Sequence, residues 1–199
     1  MKDFGKTAPV SDLMLARLID GNKRFAADKL THPNQGFRRG ARPGEGQQPF
    51  AVILTCSDAL VPPEVLFDVG LGDLFVVRVA GQVLSEAVLA SVEFAVTNLH
   101  VPIVVVLGHS QCTAVAAAVR GQDTPAHFAQ LASALRPAVE RGKRLPGDPV
   151  ENGGRAQAQL VADHLRFSRP VLQSAFDSKR LKIVAAYFNL SSGLVELLD

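Results

Sequence analysis

Two short apolar runs in this chain each lead into a side chain that can bind a metal ion. Residues 50–55 read Phe-Ala-Val-Ile-Leu-Thr and precede Cys56, and residues 102–108 read Pro-Ile-Val-Val-Val-Leu-Gly and precede His109. Runs this rich in β-branched residues are typical of strands covered on both faces of a parallel sheet. In open α/β sheets, ligands bind outside the carboxyl ends of the strands, where the strand order reverses. The two loops are therefore predicted to meet at such an edge.

The other apolar segments indicate that strands and helices alternate along the chain. Further strands are predicted at 74–79 and 181–187, and 194–198 is predicted to be an antiparallel edge strand. Helices are predicted at 11–27, from Pro62, at 85–99, from Ser110 to 119, at 124–140 and at 155–167, with Pro170 restarting the last one. We therefore expect an α/β fold: a mainly parallel central sheet of four strands, an antiparallel edge strand and helices on both faces.

Serine, proline and glycine residues set the expected helix boundaries. Ser11, Ser85 and Ser110 are predicted to be N-caps, because a hydroxyl can accept a hydrogen bond from the first turn. Capping by Ser110 would place Cys112 in a first helical turn, where the helix macrodipole favours a thiolate. The prolines and glycines between 137 and 154 predict a second long loop.

Length and composition indicate one domain with a substantial core. The chain has 199 residues, of which 47% are hydrophobic, and we expect a single domain over residues 1–199. Within it, residues 1–49 are predicted to form a helix and then a strap rich in proline and glycine from Lys29 to Pro49. A strap this long is uncommon inside a compact domain, so we expect it to pack on a partner subunit or to cover an active site.

Charge and hydropathy argue against nucleic-acid and membrane functions. The formal net charge is +2, and the basic residues form separate groups without interleaved aromatic residues. The N-terminus lacks the apolar stretch of a secretory signal, and no run is long enough to span a membrane. We therefore expect a cytoplasmic protein, in which two reduced cysteines indicate a metal or catalytic role more than a disulfide bridge.

Cys56, His109 and Cys112 form a candidate metal site. Two thiolates and one imidazole are good zinc ligands, and three protein ligands with an open fourth position are the arrangement of a catalytic zinc. The alternative is that both cysteines are small buried hydrophobic residues and that His109 ends a strand. The spacing of these residues leaves both interpretations open.

A family resemblance extends over nearly the whole chain. Its motifs are Cys56-Ser57-Asp58 followed by Val61-Pro62-Pro63-Glu64, then residues 72–78 (Gly-Asp-Leu-Phe-Val-Val-Arg), then Gly108-His109-Ser110-Gln111-Cys112. In order, spacing and flanking residues they resemble those of the β-class carbonic anhydrases. The resemblance begins at the Gly21-Asn22 helix and ends at the strand Gly193-Leu194-Val195.

The resemblance implies a cytoplasmic zinc lyase of the carbonate dehydratase type. It implies that Cys56, His109 and Cys112 hold zinc, and that the zinc activates water for the reversible hydration of carbon dioxide to bicarbonate. Asp58 resembles the carboxylate that orients this water, its alternative role being a helix or turn cap. The small-molecule partners implied are carbon dioxide and bicarbonate, and the assembly implied is a homodimer or a dimer of dimers, a tetramer.

The chain departs from the family pattern beside the zinc ligands. The family motif is Cys-x-Asp-x-Arg, but Leu60 stands at the arginine position. That arginine pairs with the aspartate, and a guanidinium does so with two parallel charge-assisted hydrogen bonds. Without it, we expect Asp58 to become a fourth zinc ligand and to weaken hydration. Gly81, Gln82 and Thr113, together with Leu60, are expected to line the substrate pocket, and Gln82 and Thr113 also differ from the family's usual residues.

Two other functions are compatible with the same motifs. A zinc hydrolase of carbonyl sulfide or carbon disulfide would keep the site and require a more apolar pocket, which Leu60 and Thr113 favour. A non-catalytic zinc-binding pseudoenzyme would keep the fold for the sake of its oligomer. Arg78, Arg38 and Arg39 are the candidates to replace the missing arginine, and Arg78 is expected to be engaged structurally.

Overall fold

The fold is built around one five-stranded sheet. The structure is a computed structural model that describes residues 8–36, 46–121 and 126–198. The sheet has the strand order β2-β1-β3-β4-β5. The first four strands are parallel, and the last is antiparallel to β4. The strands are β1 (Ala51–Thr55), β2 (Leu74–Arg78), β3 (Ile103–His109), β4 (Lys182–Asn189) and β5 (Leu194–Leu197).

Seven α-helices and one short 3₁₀ turn connect or cover these strands in the described part of the chain. The turn is Ala80–Gln82, directly after β2. The helices are α1 (Val10–Ala26), α2 (Pro63–Leu66), α3 (Glu86–Asn98), α4 (Thr113–Arg120), α5 (Ala126–Lys143), α6 (Pro149–Phe167) and α7 (Val171–Asp177).

Two apolar layers cover the sheet, one on each face. Alternate residues of β1 belong to different layers, since Ile53 packs with α1, α2 and α4 while Val52 and Leu54 pack with α3, α6 and α7. All five residues of β1 and all seven of β3 are buried, which explains why their sequences are continuously apolar. The predicted α/β architecture is confirmed. No helix among the described residues has the length and apolar character that a membrane span requires.

Two of the three predicted helix caps are wrong. Ser85 does cap α3, because its Oγ accepts a hydrogen bond from the Val88 N–H at 3.4 Å. Helix α1 instead begins at Val10 after Pro9, so Ser11 lies inside its first turn. Helix α4 begins at Thr113 with Cys112 at the N-cap position, and the Ser110 hydroxyl accepts a hydrogen bond from the Leu190 N–H at 2.9 Å. Ser110 therefore ties β3 to the end of β4.

The prediction of a second long loop between residues 137 and 154 is also wrong. Helix α5 continues through Pro137 to Lys143, and α6 begins at Pro149 with Asp148 accepting a hydrogen bond from the Val150 N–H. The two helices pack against each other, and this tertiary packing overrides the low helix propensity of the proline and glycines. The connection between α5 and α6 is consequently short.

The N-terminal strap is anchored at a buried carboxylate where the structure describes it. Asp68 accepts hydrogen bonds from the Arg24 guanidinium at 2.6 Å, from the Thr31 N–H and hydroxyl, and from the His32 N–H. Residues 37–45 of the strap, which include Arg38 and Arg39, lie outside the described residues. The strap's start is therefore fixed to this chain, and its predicted packing on a partner remains a prediction.

Asp68→Asn is expected to lower the free energy of unfolding by about 2 kcal/mol at pH 7, since hydrogen bonds to a charged group contribute about that much. Burial raises the pKa of Asp68, but the bonds from Arg24, Thr31 and His32 outweigh it and hold that pKa well below its usual value. The stabilisation is therefore complete above the unfolded pKa of about 4 and is lost as pH falls toward the folded one. Urea unfolding at pH 7 and pH 3 should show the difference shrinking at pH 3. Asp20→Asn, at an exposed surface ion pair with Lys23, is the control that should change little.

Candidate metal centre

The candidate ligands converge because two neighbouring parallel strands end side by side. Strand β1 pairs with β3 in a register that puts Thr55 opposite Leu107. Cys56 follows β1 directly, His109 is the last residue of β3, and Cys112 is the N-cap of α4. The chain leaves β1 toward β2 on one side and leaves β3 toward β4 on the other. The site therefore lies where the strand order reverses, as the sequence indicated.

The three side chains form one buried cluster. Their ligand atoms all lie within 4.8 Å of one another, and the two Sγ atoms are 4.0 Å apart. Cys56, His109 and Cys112 are 3%, 1% and 2% exposed. Both cysteines are free thiols. Two sulfur atoms and one imidazole thus face a common point inside the protein.

His109 presents an unpaired nitrogen to this point. Its Nδ1 lies 2.9 Å from the Ser110 carbonyl oxygen, which can only accept a hydrogen bond, so Nδ1 carries the proton. In the neutral ring, Nε2 then carries the lone pair that can bind a metal ion. Among the buried side-chain atoms described, Nε2 is without a hydrogen-bond partner. A backbone carbonyl that fixes the tautomer in this way is the usual support of a metal-binding histidine.

The electrostatics of the cluster favour one thiolate before any metal binds. The pKa of Cys56 is lowered because the Cys112 thiol donates a hydrogen bond to its sulfur, and the His109 ring and the Gly81 N–H add to this effect against the cost of burial. The same contact and burial raise the pKa of Cys112. Burial lowers the pKa of His109, but contact with the Cys56 thiolate raises it overall. Without a metal the cluster therefore favours a thiolate at Cys56, a thiol at Cys112 and a proton on His109, and a bound cation would replace those protons.

The donor set fits zinc. Thiolate and imidazole are the ligands that select zinc among the common divalent ions of cells, and three of them leave a fourth position for water or substrate. A buried nitrogen without a hydrogen-bond partner, aimed at two sulfur atoms, would cost free energy unless something bound it. These residues therefore could hold a zinc ion.

Asp58 lies in the loop after Cys56 and is held by backbone contacts. Its Oδ1 accepts a hydrogen bond from the Leu60 N–H at 3.0 Å, so the carboxylate caps its own turn. The Leu60 side chain is 64% exposed. The Arg78 guanidinium donates to the carbonyl oxygens of Cys56, at 3.0 Å, and of Asp58. Arg78 thus fixes the backbone of the loop, and the contacts it makes there go to carbonyl groups.

The other residues expected to line a pocket lie on different sides of the cluster. Gly81 and Gln82 belong to the 3₁₀ turn after β2, and both are buried. The Gly81 N–H donates a hydrogen bond to Cys56 Sγ at 3.3 Å. Thr113, by contrast, is exposed at the start of α4. The structure therefore places Gly81 in direct contact with Cys56, a candidate ligand, and Thr113 at the surface of this chain.

Helix α6 supplies two supporting residues that the sequence did not reveal. Glu151 accepts a hydrogen bond from the Gln111 N–H at 3.2 Å and another from the Tyr187 hydroxyl at 3.0 Å. Burial and the Glu151 carboxylate raise the pKa of Tyr187, so its hydroxyl stays a donor. Glu151 thereby holds the loop that carries His109 and Cys112. Gln157, six residues further along the same helix, donates a hydrogen bond to the Gly81 carbonyl oxygen at 3.3 Å. No local pattern marks either residue, because both contacts join distant segments.

Comparisons with known proteins identify the family. A family model described as carbonic anhydrase matches residues 51–195, which include every residue of the cluster. A carbonic anhydrase of Mycolicibacterium smegmatis is 38% identical over 184 residues, covering 90% of this chain and 89% of that protein. Carbonic anhydrase 2 of Mycobacterium tuberculosis is 37% identical over 186 residues, covering 92% and 90%. The chain belongs to the β-class carbonic anhydrase family.

Solved structures of this family share the fold. Tetrameric β-carbonic anhydrases of the ascomycete Sordaria macrospora superpose with a TM-score of 0.74 at 22% identity, over 94% of this chain and 97% of theirs. A Coccomyxa β-carbonic anhydrase, solved with acetazolamide, gives a TM-score of 0.70 at 23% identity, over 96% and 87%. Family membership assigns the chain to the carbonate dehydratase class of lyases.

Proposed function

We propose that this chain is a zinc-dependent carbonic anhydrase that interconverts carbon dioxide and bicarbonate. Cys56, His109 and Cys112 would hold the zinc. The observation that carries the proposal is the bare Nε2 of His109, which faces two sulfur atoms at the strand ends of a carbonic anhydrase fold. When bound there, zinc acidifies water toward a pKa of about 7 and so supplies a nucleophile for carbon dioxide near neutral pH.

The chain's own residues would then orient the ligands and the reacting water. The Ser110 carbonyl keeps the His109 ring in the tautomer whose Nε2 is free to bind. Two thiolates give a dication so much electron density that it acidifies water less strongly. The Gly81 N–H donates a hydrogen bond to the Cys56 sulfur, and this reduces the electron density that Cys56 would give to the metal. Asp58 would accept a hydrogen bond from the reacting water and fix its direction.

Leu60 makes this last role weak. The arginine of the family motif offers two parallel charged donors to the aspartate, whereas Leu60 offers Asp58 one backbone N–H. A carboxylate held this loosely near a dication competes with water for the fourth position, because the cation is the largest charge nearby. We therefore infer that Asp58 would compete for the fourth position of a bound zinc ion and that carbon dioxide hydration would be slow.

Leu60→Arg is expected to raise kcat for carbon dioxide hydration about tenfold, which corresponds to roughly 1.4 kcal/mol of barrier. Leu60 is exposed, so an arginine fits there without displacing the core, and its backbone N–H already lies 3.0 Å from the Asp58 carboxylate that the new guanidinium should bind. Stopped-flow hydration with zinc-loaded protein measures the rate. Leu145→Arg, the same substitution at another exposed leucine, is the matched control.

Two outcomes would count against these inferences separately. Wild-type turnover that matches the family and does not change in Leu60→Arg would show that the arginine is dispensable. No detectable hydration by either zinc-loaded protein would reject the proposed function itself.

The alternative hydrolase needs a more apolar pocket, but Leu60 and Thr113 are both exposed in this chain, so we propose carbon dioxide hydration alone.

We also propose that the chain assembles with itself as a homodimer or a dimer of dimers. The Sordaria macrospora structures are tetrameric, which supports oligomerisation. Strand β2 is an edge strand with β1 as its described neighbour. Helix α1 carries Val10 and Leu13 at 62% and 53% exposure. An unpaired strand edge and exposed apolar side chains are features that a second copy would cover.

A further inference from the structure

The 3₁₀ turn between β2 and α3 brings a backbone N–H group into contact with the cluster of candidate metal ligands. The Gly81 N–H donates to Cys56 Sγ at 3.3 Å. Gly81 has φ 61° and the next residue, Gln82, has φ 41°. The left-handed region is open to glycine but costs free energy for a residue with a side chain, so the surroundings must hold this pair of residues.

A side chain from α6 holds the same peptide segment from the other side. Gln157 is 5% exposed, and its Nε2 donates a hydrogen bond to the Gly81 carbonyl oxygen at 3.3 Å. Leu135 of α5 packs closely against Gly81, since a Cβ on Gly81 would lie 3.0 Å from the Leu135 side chain. Gly81 is thus bonded at its N–H to the Cys56 sulfur and at its carbonyl to Gln157.

We propose that Gln157 is a positioning residue for the metal centre: it holds the Gly81 carbonyl so that the Gly81 N–H stays on the Cys56 sulfur. A hydrogen bond to a thiolate withdraws electron density from it, so this contact sets how strongly Cys56 donates to a metal ion. Gln157 acts through Gly81 and touches neither the ion nor the substrate. The proposal rests on the proposed function only for the identity of the ion.

The Gln157 hydrogen bond differs from another glutamine hydrogen bond of the same helix in the group that it supports. Another glutamine of α6, Gln159, makes the same kind of bond, from its Nε2 to the Leu198 carbonyl oxygen at 3.1 Å, near the C-terminal strand. Loss of either bond removes the side-chain donor from a carbonyl oxygen, although the Gln157 bond is buried and the Gln159 bond is only partly buried. Of the two, only the loss of the Gln157 bond would affect the candidate metal ligands, because Gly81 also contacts Cys56. Residues that support metal ligands in this way typically contribute 10- to 100-fold to metal affinity.

The test compares Gln157→Leu with Gln159→Leu. In metal-free protein, NMR-detected hydrogen exchange of the Gly81 amide should be at least about tenfold faster in Gln157→Leu and unchanged in Gln159→Leu. Competition with a chromophoric chelator should show zinc affinity lowered about tenfold in Gln157→Leu alone. In cobalt-loaded protein, the thiolate-to-cobalt charge-transfer band should shift in the same variant, because the Cys56 sulfur has lost its donor.

The outcomes separate this proposal from a purely structural role and from the proposed function. Unchanged Gly81 exchange and unchanged zinc affinity in Gln157→Leu would overturn the proposal, as would equal losses in Gln159→Leu. If Gln157→Leu does not fold, Gln157→Met keeps nearly the same size and shape and removes the donor without adding a charge, and it should give the same changes. Gly81 exchange is read without metal or activity, so a wild-type protein that lacks hydration activity would reject the function and leave this result standing.

Discussion

Cys112→Ser is expected to abolish stoichiometric zinc binding and to lower the carbon dioxide hydration rate at least about 1000-fold. Cys112 provides one of the three atoms that face the common point, and its sulfur lies 4.0 Å from that of Cys56. A serine hydroxyl fills nearly the same space but does not ionise near neutral pH, so it is a poor replacement for a thiolate. Without zinc, water is not acidified toward neutral pH and the nucleophile is lost.

Metal content and rate measure this effect together. Zinc per chain after dialysis should fall from about one to well below one, and stopped-flow hydration should fall with it. The two cysteines of the chain are both in the cluster, so a thiol reagent offers a further readout: zinc should protect both from modification in the wild-type protein. Thr97→Ser, an exposed position on α3, is the control. Full zinc content and rate in Cys112→Ser would reject Cys112 as a ligand.

The strand ends were the most predictable part of the molecule. The runs before Cys56 and His109 are continuously apolar because β1 and β3 are covered on both faces, and neighbouring parallel strands must end at the same edge. The meeting of Cys56 with His109 then depends on β1 and β3 being neighbours, and this strand order comes from the structure. Cys112 is then placed near both of them, because it follows His109 by three residues in a tight loop.

The supports of the cluster were not predictable, because they depend on how distant helices pack. Ser110 looks like a helix cap in sequence, yet its hydroxyl binds the Leu190 N–H after β4. Glu151 lies in a segment whose glycines and prolines indicated a loop, and only the packing of α6 brings it to Gln111. Leu60 shows a similar division, since sequence reveals a missing donor but not that the side chain points into solvent.

Gly21 gives the sharpest contrast between local propensity and packing. In sequence it is a weak point of the predicted first helix, since glycine in a helix interior is about 1 kcal/mol less favourable than alanine. In the structure, α1 crosses the end of α2 so closely that a Cβ at Gly21 would lie 1.8 Å from the Phe67 carbonyl oxygen. The next residue, Asn22, uses this approach to donate hydrogen bonds to the Leu66 and Gly193 carbonyls at 3.2 and 2.9 Å.

Gly21→Ala is therefore expected to lower the free energy of unfolding by at least about 3 kcal/mol, although helix propensity predicts the opposite sign. The methyl group would meet backbone, which cannot rotate away, so α1 must move off α2 and give up the Asn22 bonds. Urea unfolding followed by circular dichroism measures the change. Gly36→Ala, where a Cβ would meet nothing within 4 Å, is the matched control and should change stability little. A Gly21→Ala protein as stable as the wild type would show that α1 shifts freely, and its docking on α2 would then contribute nothing to holding the N-terminal segment in place.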